Sequence, residues 1–214
     1  MLCSQCSTRC DELNICYNPA CSRNTTAKLQ RYSSQLVSAE ESLTACIHAL
    51  VSILRGREGC VFLTGIGKSA HSVKKCVATW QSLGLLCHSL LVQDMLHGDI
   101  GVLKPGDTII YISNSGNTEE LLAVSSYVRK TFPVCQICIT NNPSALLSTT
   151  VDHALNLCNF KIREADTLNM APTVSCVLFM LVLDIVGLHL AEGRDITRED
   201  FQRNHPGGAL GKIK

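Results

Sequence analysis

The side chains best suited to chemistry lie in one run, Ser113-Asn114-Ser115-Gly116-Asn117-Thr118. An apolar stretch rich in β-branched residues, Thr108-Ile109-Ile110-Tyr111-Ile112, leads into it, and Glu119-Glu120-Leu121-Leu122 follows. That order predicts a buried strand, a tight turn and a helix N-terminus, whose free N–H groups and dipole favour an anion. Ser113, Ser115 and Thr118 add hydroxyl donors, Asn114 adds an amide, and Gly116 lets the backbone approach a ligand. The loop has no basic residue, so neutral donors must hold the anion. This suits a phosphomonoester on a small metabolite better than a nucleoside triphosphate with magnesium.

Four further groups could act with it. Thr64-Gly65-Ile66-Gly67-Lys68-Ser69 reads as a second small anion cradle, in which Gly67 and Ser69 supply the turn and Lys68 the one cation. It lacks the third glycine of a dinucleotide turn and the Gly-x4-Gly spacing of a Walker A loop. His97-Gly98-Asp99 precedes a glycine-punctuated connection, Glu164 stands in a polar stretch, and His205-Pro206-Gly207-Gly208-Ala209-Leu210-Gly211 lies near the end. Each has a plain reading as well: a solvent lysine, a surface histidine, a solvated glutamate, a fraying terminus.

The elements that must position these groups alternate. Helical spacing of apolar residues covers Thr25 to Arg55. Strands are expected at Cys60–Thr64, Leu86–Val92, Thr108–Ile112, Val134–Thr140 and Ala154–Cys158. Helices are expected at Ser69–Leu83, Glu119–Lys130, Ser144–Thr149 and Thr173–Glu192. Such alternation implies an α/β domain, a parallel sheet with helices on both faces, binding its ligand beyond the carboxyl ends of the strands. The polar turns after Thr64 and Ile112 both fall at that edge.

At 214 residues the chain suffices for one well-buried domain, and its 46% hydrophobic and 17% charged content favours a large core or subunit-covered surface. A net charge of +1 argues against nucleic acid as a partner. No membrane partner is expected, because the greasy stretch Val174–Leu183 is too short to span and Asp184 interrupts it. Of the thirteen cysteines, Cys46, Cys60, Cys76, Cys87, Cys135, Cys138, Cys158 and Cys176 fall in apolar patterns and read as small buried hydrophobes. Cys135 and Cys138 have CxxC spacing, but on a strand they point to opposite faces. The remaining Cys3, Cys6, Cys10, Cys16 and Cys21 crowd residues 1–24, which read as a mobile tail or, more sharply, a local metal knot. Residues 25–214 form the domain. So many free thiols point to a reducing, cytoplasmic location.

Taken together the motifs carry a resemblance. Gly-x-Gly-Lys-Ser, His-Gly-Asp-x-Gly, Ile-Ser-Asn-Ser-Gly, Glu-x6-Ala-Pro-Thr and His-Pro-Gly-Gly-Ala-Leu-Gly occur here in the order seen in the sugar isomerase (SIS) domain of arabinose-5-phosphate isomerases. The resemblance runs from about Leu36 to Lys212. It implies a flavodoxin-like five-stranded parallel sheet and a homotetramer with active sites at subunit contacts. It also implies reversible conversion of D-ribulose 5-phosphate to D-arabinose 5-phosphate through an enediol, without metal or organic cofactor, for lipopolysaccharide precursor biosynthesis. Carried over by position, Lys68, Glu120, Glu164 and His205 are the expected catalytic residues. Gly67, Ser69, Gly84, His97, Ser113, Asn114, Ser115 and Thr118 are the expected substrate-binding ones.

Some positions depart from the family pattern. Gln93-Asp94-Met95 replaces a usual Gly-Glu-Ala, Leu83-Gly84-Leu85 a Thr-Gly-Thr, Ala70 a glycine and Cys176 a threonine. Leu91 stands where relatives often carry a zinc-associated histidine, so no zinc is expected there. No room is expected for the paired CBS regulatory modules that often follow. The alternative functions are an SIS isomerase for a heptulose or hexulose phosphate, and a non-catalytic phosphosugar sensor.

Overall fold

The structure, a computed structural model, describes residues 2–10, 16, 18, 21–209 and 211. Parts of the proposed tail, and Leu210 of the C-terminal glycine motif, lie outside the described residues.

Five short runs of alternating or continuous apolar residues become parallel strands: β1 (Val61–Gly65), β2 (Cys87–Leu91), β3 (Thr108–Ser113), β4 (Cys135–Thr140) and β5 (His153–Asn156). Their order in the sheet is β2-β1-β3-β4-β5. β3 is buried at every position, as a strand covered on both faces must be. Its side chains divide by parity. Ile110 and Ile112 join Leu63, Ile137 and Ile139 in one core, while Ile109 and Tyr111 join Phe62 and Cys138 in the other.

The first core is roofed by three helices, α1 (Ser22–Leu54), α2 (Lys68–Ser82) and α5 (Val174–Glu192). The second lies under α3 (Val92–Met95) and α4 (Glu119–Thr131), with 3-10 turns at Asp99–Val102 and Leu146–Thr149. α6 (Arg198–Arg203) closes the described chain with a capping box between Thr197 and Asp200. The expected helices and strands are present with boundaries moved by a few residues, except that the short helix expected at Ser144–Thr149 is the 3-10 turn Leu146–Thr149. α3, α6 and the turn at Asp99–Val102 are too short to leave a clear periodic signal.

α5 is long and apolar enough to cross a bilayer by length and composition. Here it is a core helix: Leu178, Phe179, Val182, Leu183 and Val186 are buried against the sheet, α1 and α2. Its contact with α2 centres on Trp80, which is wholly buried and donates its indole N–H to the carbonyl of Leu183 at 2.7 Å. Gly187 makes room for that ring, because a Cβ there would stand 2.4 Å from Trp80 Nε1.

The eight cysteines of the domain are unpaired and buried or half-buried. Cys135 and Cys138 pack into opposite cores, as the period of a strand requires. Burial pushes the Cys46, Cys76 and Cys87 thiols up to about 12. In the N-terminal segment the sulfurs of Cys3, Cys6, Cys16 and Cys21 gather at one point.

Gly187→Ala should destabilise the domain by about 1–3 kcal/mol through overpacking, lowering the midpoint of thermal unfolding by about 2–4 °C for each kcal/mol. Iodoacetamide at pH 8 should leave Cys46, Cys76 and Cys87 unmodified in the native protein and label them after denaturation, as read by peptide mass spectrometry.

Candidate functional site

The strand order reverses direction between β1 and β3, and the two polar turns leave the sheet side by side there, with Gly65 paired to Ile112. This is the topological switch point at which open α/β sheets bind ligands. Gly67, at φ +58°, turns the chain from β1 into α2 and sets Ser69 in its first turn. The loop after β3 is preorganised. The Gly116 N–H donates to Ser113 Oγ at 3.0 Å, and the Ser113 and Thr118 hydroxyls share a hydrogen bond of 3.1 Å. Gly116 is required twice over: its φ is +63°, and a Cβ would stand 2.3 Å from Ala145 Cβ. Asn114 and Ser115 are left exposed at the tip.

These turns open onto a cavity of about 550 Å³, whose lining includes Ser69, Asn114, Ser115 and Glu164. Glu164 comes from the connection between β5 and α5 and is 6% exposed. Its Oε2 accepts from the Thr173 N–H at 2.7 Å, the Thr173 hydroxyl at 3.0 Å and the Ser175 N–H at 3.3 Å. The Ser175 hydroxyl donates to Oε1. The carboxylate therefore caps α5, whose N-cap residue Thr173 makes no side-chain capping bond and whose first turn has no acid. α1 holds the connection from outside: Arg31 donates to the carbonyl of Glu164 at 3.2 Å, and Gln35 brackets the backbone of Arg163.

Other expected site residues are placed elsewhere. Lys68 and Glu120 begin α2 and α4 at the same edge of the sheet, exposed and outside the cavity lining. His97 is exposed after α3, beyond edge strand β2. Gly84, at φ +77°, is the left-handed stop at the end of α2, on the opposite edge of the sheet and away from the cavity of its own chain. His205 is also there. Its neighbour Asn204 donates to the carbonyl of Ser82, the last residue of α2, at 3.2 Å. Ser82 lies about 20 Å along the helix axis from Ser69, at 1.5 Å per residue. The His205 ring stacks on Phe201 at 4.2 Å, and its Nδ1 is 2.7 Å from the Phe201 carbonyl. Within one chain, His205 does not reach the cavity.

The cavity also gathers residues that the motifs did not single out. Asn141 and Asn142 follow β4, Asn159 and Lys161 follow β5, and Asn169 and Ser175 flank Glu164. Lys161 is the one cationic side chain in the described lining. The rule that picked out the turns after β1 and β3 applies equally to those after β4 and β5.

Fold and site define an open α/β domain with its ligand cavity at the switch-point edge. The SIS domain family model matches residues 54–188. The arabinose 5-phosphate isomerase KdsD of Escherichia coli K12 is 37% identical over 155 residues, covering 72% of this chain and 46% of that protein. The arabinose 5-phosphate isomerase KpsF of Escherichia coli is 34% identical over 186 residues, 87% of this chain and 56% of that one. A solved structure, Escherichia coli CFT073 c3406 in complex with arabinose 5-phosphate, matches with a TM-score of 0.77 at 29% identity, over 87% of this chain and 100% of that chain. The chain belongs to the SIS domain family. It spans about half the length of the curated relatives it matches first.

Gly116→Ala should distort the loop at a cost of about 1–3 kcal/mol. The thermal midpoint should fall accordingly, as read by differential scanning calorimetry.

Proposed function

We propose that this chain is an aldose–ketose isomerase interconverting D-ribulose 5-phosphate and D-arabinose 5-phosphate. The observation that carries the reading is the cavity itself. It sets the hydroxyl- and amide-bearing loop of β3 opposite a buried carboxylate, as a sugar phosphate held at one end and reacting at the other requires. The KdsD and KpsF relatives support the same substrate.

In this reading Ser113, Asn114, Ser115 and Thr118 hold the phosphate with the N-terminus of α4, helped by Gly67 and Ser69. Isomerisation moves a proton between C1 and C2 through an enediol, and further protons between O1 and O2. Glu164 takes part from the cavity wall, where Oε1 accepts one bond from Ser175 and keeps a lone pair for a substrate proton. His205 completes the proton work from a second copy of the chain, since its own cavity is out of reach. Lys68 and Lys161 offset charge on the phosphate or the enediolate. Glu120 orients Lys68 or a sugar hydroxyl, and His97 lines the assembled pocket. A homotetramer in the cytoplasm, serving lipopolysaccharide precursor biosynthesis, fits this assignment. Exposed apolar residues on α1 and α5, among them Leu29, Val37 and Leu188, supply surface for subunit contact.

A second reading draws on the capping role of Glu164. A carboxylate already engaged by four donors serves a phosphosugar-binding sensor as well as an enzyme.

Purified protein in the presence of a chelator should convert ribulose 5-phosphate to arabinose 5-phosphate. Binding without turnover of this or any other phosphoketose would establish the sensor, and turnover of a hexulose or heptulose phosphate alone would reassign the sugar. Glu164→Gln and His205→Asn should each lower kcat by about 10²–10⁴-fold. Co-refolding the two variants should restore part of the activity, because some mixed contacts pair an intact Glu164 with an intact His205. No recovery on mixing, with oligomers shown to exchange, would refute a site divided between copies.

A further inference from the structure

We propose that Cys3, Cys6, Cys16 and Cys21 form a tetrathiolate zinc site that folds the N-terminal segment and fastens it to α1. Among its described residues the segment has no hydrocarbon core of its own. The buried cluster of these described residues consists of cysteines, Cys3, Cys10, Cys16 and Cys21 with Cys6 at its margin, and Leu2 is 67% exposed. So short a stretch cannot hold a fold by apolar burial and needs a crosslink or a metal.

The geometry points to a metal. The four sulfurs all lie within 4.8 Å of one another. The Cys6–Cys16 and Cys3–Cys21 separations are 3.1 Å and 3.5 Å. The sulfur separations, from 3.1 Å to no more than 4.8 Å, bracket the separation of about 3.8 Å set by Zn–S bonds of about 2.3 Å at tetrahedral angles. A disulfide holds its sulfurs at about 2.05 Å, and two disulfides have no need to bring four sulfurs to one point. Ligand order fits as well. Cys3-x2-Cys6 and Cys16-x4-Cys21 both fall within the Cys-x2–4-Cys spacing of structural zinc sites.

The surroundings are those of a thiolate centre. The Asn18 N–H points at Cys16 Sγ from 3.4 Å, the kind of bond that steadies a metal-bound sulfur. Cys21 is the N-cap residue of α1, where the helix dipole favours negative charge. Asn24, in the first turn of α1 and 7% exposed, donates from its side chain to the carbonyl of Cys16. The metal loop is thereby tied to the helix it precedes. Cys10 stands outside the four-sulfur group, its thiol directed at the carbonyl of Thr8 at 3.9 Å.

Zinc analysis of the full chain, purified under reducing conditions without added metal, should give one equivalent per chain. X-ray absorption should show four sulfur neighbours at about 2.3 Å. Cys3→Ser and Cys16→Ser should each lose the zinc, while Cys10→Ser keeps it. Chelation should raise the rate of tryptic cleavage at Arg9 at least tenfold and leave the sheet domain intact. Less than half an equivalent of zinc, nitrogen or oxygen in its first coordination sphere, retention of zinc in Cys16→Ser, or iron in its place would overturn the proposal. So would Cys3–Cys21 and Cys6–Cys16 disulfides in protein whose thiols were trapped at lysis. The wild-type metal content and spectrum decide the matter even if a serine variant fails to fold.

Discussion

The indole of Trp80, bonded to the Leu183 carbonyl through the gap left by Gly187, fixes the distance between α2 and α5. Both helices begin at the edge of the sheet where the cavity lies, one presenting Ser69 and the other Ser175. A shift of one helix against the other would open or close the site, so a packed aromatic far from the ligand edge governs its dimensions. The bond also secures an indole N–H that would be costly to leave unpaired in the core.

Glu164 shows how the fold and the candidate site share a residue. The start of α5 has free N–H groups and no side-chain cap of its own, and the carboxylate meets that need from nine residues upstream. A buried negative charge is tolerable there because each oxygen is hydrogen-bonded and the helix dipole favours it. The cap makes the carboxylate rigid and places it in the cavity wall. Cavity and helix start are therefore stabilised by the same hydrogen bonds.

Much of this was legible in the sequence, for identifiable reasons. Strands β1 and β3 announce themselves because a parallel strand covered on both faces is a near-continuous apolar run, and the small polar residues after each mark the ligand edge. The turn residues Gly67 and Gly116 follow from the need for positive φ. Distance was what the linear order concealed. Gly84 and His205 sit in motifs beside the other site residues by resemblance, yet both lie by the far end of α2, at the opposite edge of the sheet. The lining residues after β4 and β5, Asn142 and Lys161 among them, have ordinary loop composition, and their place depends on strand order. In the N-terminal segment, a fifth cysteine, Cys10, masks the pairing of the other four, which emerges only when the sulfurs are seen in space.

His205, just after α6, sits by the end of α2 that lies about 20 Å along the helix axis from Ser69 of its own cavity. A reaction that needs both groups then belongs to the contact between chains and to no single one of them. In genetic terms a homo-oligomer built on that proposed division would be prone to dominance. In such an assembly, a copy with an intact surface and a defective histidine would join sound copies and silence the cavities that the proposal has it complete.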